Sequence, residues 1–490
     1  MENASPPPQP PPPPALAALG CALFLLAWLA MARDRWPALP LGRAVSVSAV
    51  ATLFVASSLL SPAAAFAAVN VPTLALLLGC MLVSGVAEAH GAFALLEAAV
   101  ARGAPSPLML LLRVSGAAAL SSALITNDAT CVVLTPLVLR ACLARKLCPA
   151  PFLLALATSS NVGSACSPIG NPQNMIIALM GSLLFAGDFL RGLLVATLVG
   201  LALNAAVIAA VYRGELFSGA EYEVSPKQLE SLGLGPPAAE ELVATGNGGG
   251  GGAAAAATEL TPAVVMVSEA APSPSPSPPP PPPPPPSPPP SLRRRLIFIV
   301  LAALPIALVA ADSWIGLPWM SLLAASLLLV LDGGRPDAVL ARVDAPLLLF
   351  FSGLFVVVAG LGATGLPRAA WDAASAAGVG VRGGAEGVAL FAAVVSLGSN
   401  TVSNVPLVLL LAPSVAALPL ADSRPTWLLL AFVSTVAGNL TLVGSVANLI
   451  VAERSKAVYE LTFAEYARVG VPSTLLVLLA GVPIVVASVG

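Results

Sequence analysis

The chain has 490 residues, 57% of them hydrophobic and only 9% charged, with a net charge of −2. A soluble protein carries roughly 25% charged residues, so the composition excludes an ordinary water-soluble domain and points to lipid as the solvent. The small net charge leaves no global field to attract nucleic acid.

The first 14 residues, Met1 to Pro14, are polar and proline-rich and lack a positive n-region. They are expected to form a disordered tail, not a cleaved signal peptide. Apolar spans follow near 15–32, 44–60, 72–88, 106–142, 149–180 and 188–212. A second set falls near 296–311, 317–331, 345–362, 386–417, 426–452 and 469–489. Runs of about 20 apolar residues suffice to cross the hydrocarbon layer. The stretch 213–292 between the sets contains Gly248–Gly252, Ala253–Ala257 and a proline run to Pro290. It cannot bury enough apolar area to fold and is expected to be a disordered cytoplasmic linker. The domain plan is therefore tail 1–14, first repeat 15–212, linker 213–292 and second repeat 293–490.

The two halves match at a constant offset. Thr126-Asn127-Asp128-Ala129-Thr130 lies 273 residues before Ser399-Asn400-Thr401-Val402-Ser403, and Ser160 to Asn174 lies 274 before Ser434 to Asn448. Gly170 thereby meets Gly444, and Asn174 meets Asn448. An internal repeat in a membrane protein points to a transporter. If 106–142 and 386–417 enter and leave on one side, each half crosses five times and the second half is inverted. Placing the 33–43 loop in the cytoplasm leaves only Arg191, Arg368, Arg382 and Arg424 outside and Arg113 within the first hairpin, with the rest of the 22 basic residues inside. That distribution follows the positive-inside rule. The expected fold is all-α: two inverted repeats, each of five transmembrane helices plus one re-entrant hairpin, with broken helices at the midplane.

The hairpin tips are polar. In the first the tip is Thr126 to Thr130, and in the second it runs from Ser399 to Pro406, with Ser403 and Asn404 before a proline suited to the first turn after a break. Arms of 12–18 residues are too short for a comfortable crossing, and a polar tip is tolerated at membrane depth only against protein or water. The spans that follow are interrupted by Asn161-Val-Gly-Ser164-Ala-Cys-Ser167-Pro-Ile-Gly170-Asn171-Pro172 and by Gly438-Asn439-Leu-Thr441-Leu-Val-Gly444-Ser445. A broken helix exposes N–H groups at one half and C=O groups at the other, the first suiting an oxyanion or oxyacid. Such residues are also common where transmembrane helices touch. Two matched sets, with asparagine clustered beside glycine and proline, favour a binding site.

Asp128 is the one acid at a hairpin tip. A carboxyl at membrane depth is a functional candidate and a possible proton carrier; the alternative is a cap on the half-helix that follows. Arg113, 15 residues earlier, is too far along the arm to pair with it. Apart from Asp128 the inferred site carries no fixed charge, which favours an uncharged substrate over one needing arginine or lysine. Glu88 and His90 close the third span as interfacial residues, with a proton relay as the alternative. The six cysteines form no CxxC pair and read as small core residues. With one histidine, neither a Ser-His-Asp triad nor a multi-histidine metal site can be built. None of the three lysines follows a glycine, so there is no P-loop. No catalytic residue, metal or cofactor is expected.

Thr126-Asn-Asp-Ala-Thr-Cys-Val-Val-Leu-Thr135, Phe152 to Asn174, Ser403-Asn-Val-Pro406 and Ser434 to Ser445 together resemble the citrate-transporter-like, arsenite-permease-type ion transporters, and among these the plant silicon-efflux transporters. The resemblance spans nearly all of the chain apart from the tail and linker. It implies a scaffold-plus-transport-domain fold, a homodimer in the plasma membrane, and proton-coupled export of a small oxyacid such as silicic acid. Cys166 departs from the family pattern and reads as a small filler residue, with a thiol that favours arsenite as the alternative. Arsenite export and sodium-coupled citrate or dicarboxylate transport are the alternatives, with sodium the alternative coupling ion. A different class, a non-transporting scaffold working through the proline-rich linker, would be told apart by deleting residues 247–290.

Overall fold

The computed structural model describes residues 13–32, 42–92, 100, 106–218, 222–223, 228, 292–333 and 336–489. The expected tail and most of the linker lie outside these. Residues 213–217, assigned to the linker, form a short helix instead.

The described helices are α1 (Pro14–Ala32), α2 (Arg43–Ala56), α3 (Pro62–Ala68), α4 (Val71–Ala89), α5 (Pro107–Leu124), α6 (Asn127–Leu143), α7 (Ala150–Ser164), α8 (Pro172–Gly181), α9 (Arg191–Val211) and α10 (Arg213–Phe217). The second half supplies α11 (Leu292–Ala311), α12 (Leu317–Asp332), α13 (Pro336–Leu340), α14 (Ala345–Gly362), α15 (Leu366–Ala376), α16 (Gly384–Val402), α17 (Asn404–Ala416), α18 (Leu420–Ala437), α19 (Val446–Ser455) and α20 (Phe463–Val489). No strand occurs among the described residues. Among the described residues, seven helical stretches are long and apolar enough to cross a membrane. Large apolar side chains such as Leu25, Phe66, Ile306, Trp314 and Val330 are exposed around them, as lipid-facing side chains are.

A recurrent local signal starts these helices. Ser61, Asn70, Ser106, Asn171 and Asp344 each accept a backbone N–H three residues on, with a proline in the first turn. The side-chain oxygen satisfies an orphan donor, and proline costs nothing where no N–H partner exists.

Helices α1 to α9 have counterparts in the same order in α11 to α14 and α16 to α20, while α10 and α15 have none among the described residues, and the matched helices pack reciprocally. α2 lies on α14, and α4 on α12; α6 lies on α19, and α17 on α8. Gly79 of α4 abuts Ser321 of α12, and its repeat mate Gly353 of α14 abuts Ser48 of α2. Glycine lets these backbones approach closely. All fifteen residues of α7 are buried. So is its mate α18 over its last twelve residues, from Thr426 to Ala437. A helix buried all round belongs at the centre of a bundle, and the breaks between α7 and α8 and between α18 and α19 are thereby brought to the middle of the molecule.

Candidate binding site at the two helix breaks

The first hairpin breaks at Ile125 and Thr126. Thr126, not Asp128, caps α6, its Oγ1 accepting the Ala129 N–H at 3.2 Å. Asp128 sits one position past Asn127 in the first turn, its backbone N–H donating to Asn127 Oδ1 at 3.0 Å. The second hairpin breaks at one residue, Ser403, held at φ +76°. Ser399, Asn400 and Thr401, expected at the tip, belong to the last turns of α16. The tips are therefore narrower than the sequence suggested, and most of their polar residues are helical.

Each tip is bonded to the broken helix of its own half. Asn127 N–H donates to Gly170 O at 2.9 Å, and Asn127 Nδ2 to Asn161 Oδ1 at 2.9 Å. Asn400 Nδ2 donates to Ala437 O at 2.8 Å, and Asn400 Oδ1 accepts from Thr441 Oγ1 at 3.0 Å. Within each break one asparagine replaces lost helical bonds. Asn174 Nδ2 donates to the carbonyls of Ser164 and Ser167, both at 3.1 Å. Its mate Asn448 donates to Gly438 O at 2.8 Å and Thr441 O at 3.2 Å, the same two positions one repeat later.

The breaks also bond to each other. Asn161 Nδ2 donates to Asn439 Oδ1 at 2.8 Å and Asn448 Oδ1 at 2.9 Å, while Asn161 Oδ1 also accepts from Ser445 Oγ at 3.0 Å. Thr435, the repeat mate of Asn161, contacts Asn174 at 3.4 Å and Asn171 at 3.3 Å. Asn171 also donates to Ser164 Oγ at 2.8 Å, and Asn439 to Thr158 O at 3.0 Å. The Asn161 amide thus uses both donors and both acceptor sites on buried partners. Asn161→Ala would strand those partners, each at roughly 1–3 kcal/mol. The expected result is a clear fall in unfolding temperature in detergent together with lost flux; a wild-type unfolding temperature would contradict the hub.

A cavity of about 380 Å³ opens at this junction, lined among others by Asn127, Asp128, Ser399, Asn400, Thr401, Ser403, Asn404, Gly444 and Ser445. Ser399 Oγ is hydrogen-bonded to Asn404 Oδ1. Asn161, Ser164, Ser167, Gly170, Asn171, Asn174, Asn439, Thr441 and Asn448 do not line this cavity; they are bonded to one another and, through Asn127, Asn400 and Ser445, to its wall. Thr130 is buried in α6, and its hydroxyl has no hydrogen-bond partner among the described residues. Cys166, buried just past the end of α7, directs its thiol to Gly163 O at 3.4 Å.

A second cavity of about 490 Å³ adjoins the first, sharing Arg43, Asp128, Pro172, Leu347 and Val446 with it. Thr126 lines this one, with Glu88, Arg342, Asp344, Glu453 and Arg454. Arg43 corrects the expectation of a site without fixed charge beyond Asp128. It was read as a loop residue because nothing local marks the first residue of a helix as site-facing; only packing brings it there. Gln173, Thr435, Trp28 and Phe350 were also missed as site residues. Thr435 was legible as the repeat mate of Asn161. His90 pairs with Asp332 at 2.6 Å and Glu88 with Arg342 at 3.4 Å, joining the end of α4 to neighbouring segments.

A third cavity of about 590 Å³ lies at the other end of α14. At an offset of 274 its Phe355, Val358, Ala359 and Gly362 correspond to Met81, Ser84, Gly85 and Glu88 of the second cavity. Its Ala68, Asn70 and Met180 likewise correspond to Arg342, Asp344 and Arg454. The third cavity is thus the repeat counterpart of the second, with uncharged residues where the second has four charged ones.

Reciprocal repeats, interrupted central helices and a cavity that receives polar groups from both halves, in an apolar helical bundle, define a polytopic membrane transporter. The model of the citrate transporter family matches residues 22–437, and the chain belongs to that family. It is 38% identical over 483 residues to the silicon efflux transporter LSI3 of Oryza sativa subsp. japonica, covering 95% of this chain and 97% of that one. It is 32% identical to the putative transporter arsB of Dictyostelium discoideum, over 91% and 88% of the two chains. Among solved structures, the Alcanivorax borkumensis YdaH transporter aligns over 96% of this chain and 98% of its own, at 14% identity and a TM-score of 0.48. The family and these relatives are transporters, not enzymes.

Proposed function

We propose that this protein is a proton-coupled exporter of a small uncharged oxyacid, silicic acid being the leading candidate. The observation that carries the reading is the cavity at the two breaks, walled by amide and hydroxyl groups from both halves, with the Asp128 carboxylate facing it. Amides and hydroxyls match a ligand made of hydroxyl groups, and a carboxylate at that depth is suited to carry a proton. The relation to LSI3 supports the choice of substrate class, and the relation to arsB keeps arsenite as the second reading.

In this reading the halves are inverted repeats, each with five crossings and one re-entrant hairpin, and the protein works as a homodimer in the plasma membrane. The proposed ligand-facing residues are Asn127, Asp128, Ser399, Asn400, Thr401, Ser403, Asn404 and Ser445. The test is flux in proteoliposomes with germanic acid, arsenite and citrate, under an imposed proton or sodium gradient. Germanic acid flux driven by the proton gradient is the expected result. Citrate flux driven only by sodium would replace this reading with sodium symport.

A further inference from the structure

Arg43 is half-buried at the head of α2 and lines both the central cavity and the charged cavity beside it. Asp128 lines the same two cavities. Neither makes an ion pair with any described residue. The Asp128 carboxylate accepts no hydrogen bond from a described residue. Arg43 instead lies over the Phe350 ring, 5.9 Å from its centroid, and Phe350 is itself a wall of the central cavity. Stacking on an aromatic face fixes the plane of a guanidinium while leaving its edge N–H groups free. A fixed cation and a carboxylate thus share one opening with hydrogen-bonding capacity to spare. The repeat mate of Arg43 is Leu317, which is buried, so the arrangement occurs in one half only.

We propose that Arg43 is a substrate-contacting, specificity-determining residue: its guanidinium donates to one oxygen of the bound oxyacid while Asp128 accepts from a hydroxyl of the same molecule. This rests on the transport reading above. The recognised class is a small polyhydroxy acid in its neutral form, which presents an acceptor to the arginine and a donor to the carboxylate. With Asp128 ionised the pair has no net charge, so a neutral ligand is favoured over a multiply charged anion such as citrate, which calls for more than one unbalanced cation. A proton on Asp128 replaces the charge-assisted acceptor with a weaker neutral one and unbalances the Arg43 charge, so proton and substrate compete. The other charges facing this opening, Glu88, Arg342, Asp344, Glu453 and Arg454, include the Glu88–Arg342 ion pair.

The test is germanic acid flux in proteoliposomes containing the full chain, with Arg43→Gln and Arg43→Lys beside the wild type. Arg43→Gln is expected to raise KM about tenfold or more with kcat changed much less, as for a lost charge-assisted hydrogen bond. Arg43→Lys, which keeps the charge but not the fork, is expected to fall between. A wild-type KM in either variant overturns the proposal while leaving the transport reading standing; if Arg43→Gln does not fold, Arg43→Lys alone decides. Absence of flux in the wild type overturns both.

Discussion

Asp128→Asn is expected to abolish flux driven by a proton gradient while leaving a folded protein in the membrane. The cap of α6 is Thr126, so the substitution removes no capping bond. The carboxylate accepts no hydrogen bond and forms no ion pair with the described residues, so no buried partner is stranded. What is lost is the interaction of an acid in the first turn with the helix dipole, about 0.3–1 kcal/mol, and its attraction to the Arg43 guanidinium in the shared cavity. Asparagine keeps the shape and cannot take up or release the proton. Purification yield and unfolding temperature would report the fold, and pH-jump flux in vesicles the coupling. Proton coupling equal to wild type in this variant removes Asp128 from the mechanism.

The second large effect is expected at the paired glycines of the breaks, and the two should differ. A Cβ on Gly170 would lie 2.4 Å from the Ser164 carbonyl oxygen and 2.8 Å from Ser164 Cα, both backbone atoms. That carbonyl already accepts from Asn174, and Gly170 O accepts from Asn127 N–H. The break must open to admit a methyl group, at a cost typical of overpacking, about 1–3 kcal/mol, with the Asn127 and Asn174 bonds disturbed besides. At Gly444 the nearest atom is Asn400 Oδ1 at 2.6 Å, a side chain able to rotate, followed by Gly438 O at 2.8 Å. Gly170→Ala should therefore lower the yield of folded protein more than Gly444→Ala. The latter should fold and lose flux, because Asn400 is pushed from its bond with Thr441. Equal, wild-type behaviour of both variants would show that the breaks tolerate repacking.

Much of this architecture was legible because lipid imposes a simple code. Apolar runs at 72–88, 317–331 and 345–362 emerge as α4, α12 and α14 within a residue or so. The matched asparagines and glycines marked both breaks because the same backbone problem is solved twice, Asn174 and Asn448 bonding to equivalent carbonyls. Hydropathy does not register α3 and α15. The first is a seven-residue helix beyond the bend that ends α2, and the second carries Arg368 and Asp372 on an amphipathic helix. The π-helical stretch Phe185–Leu190 was also invisible: Asp188 accepts the Leu184 N–H and pairs with Arg424, contacts set by distant segments. Arg43 belongs with these. Its place at the cavity comes from the way α2 lies on α14, which no local pattern encodes.

The cross-bonds among Asn161, Asn439 and Asn448, and those among Thr435, Asn171 and Asn174, have a consequence for motion. Separating α7 from α19 would strand a set of buried amides, so no hinge can run cheaply through the centre of the molecule. Where α4 meets α8, and α14 meets α17, no side-chain hydrogen bond links the described residues, and the surfaces are built largely of residues such as Leu76, Ile176, Leu354 and Val408. Greasy surfaces can slide without leaving a polar group unpaired. Any displacement that carries the cavity across the bilayer is thus cheapest as the travel of one stiff block along those two seams, at the cost of the Trp28–Thr401 and Phe185–Asp312 bonds and with its hydrogen-bonded heart unchanged.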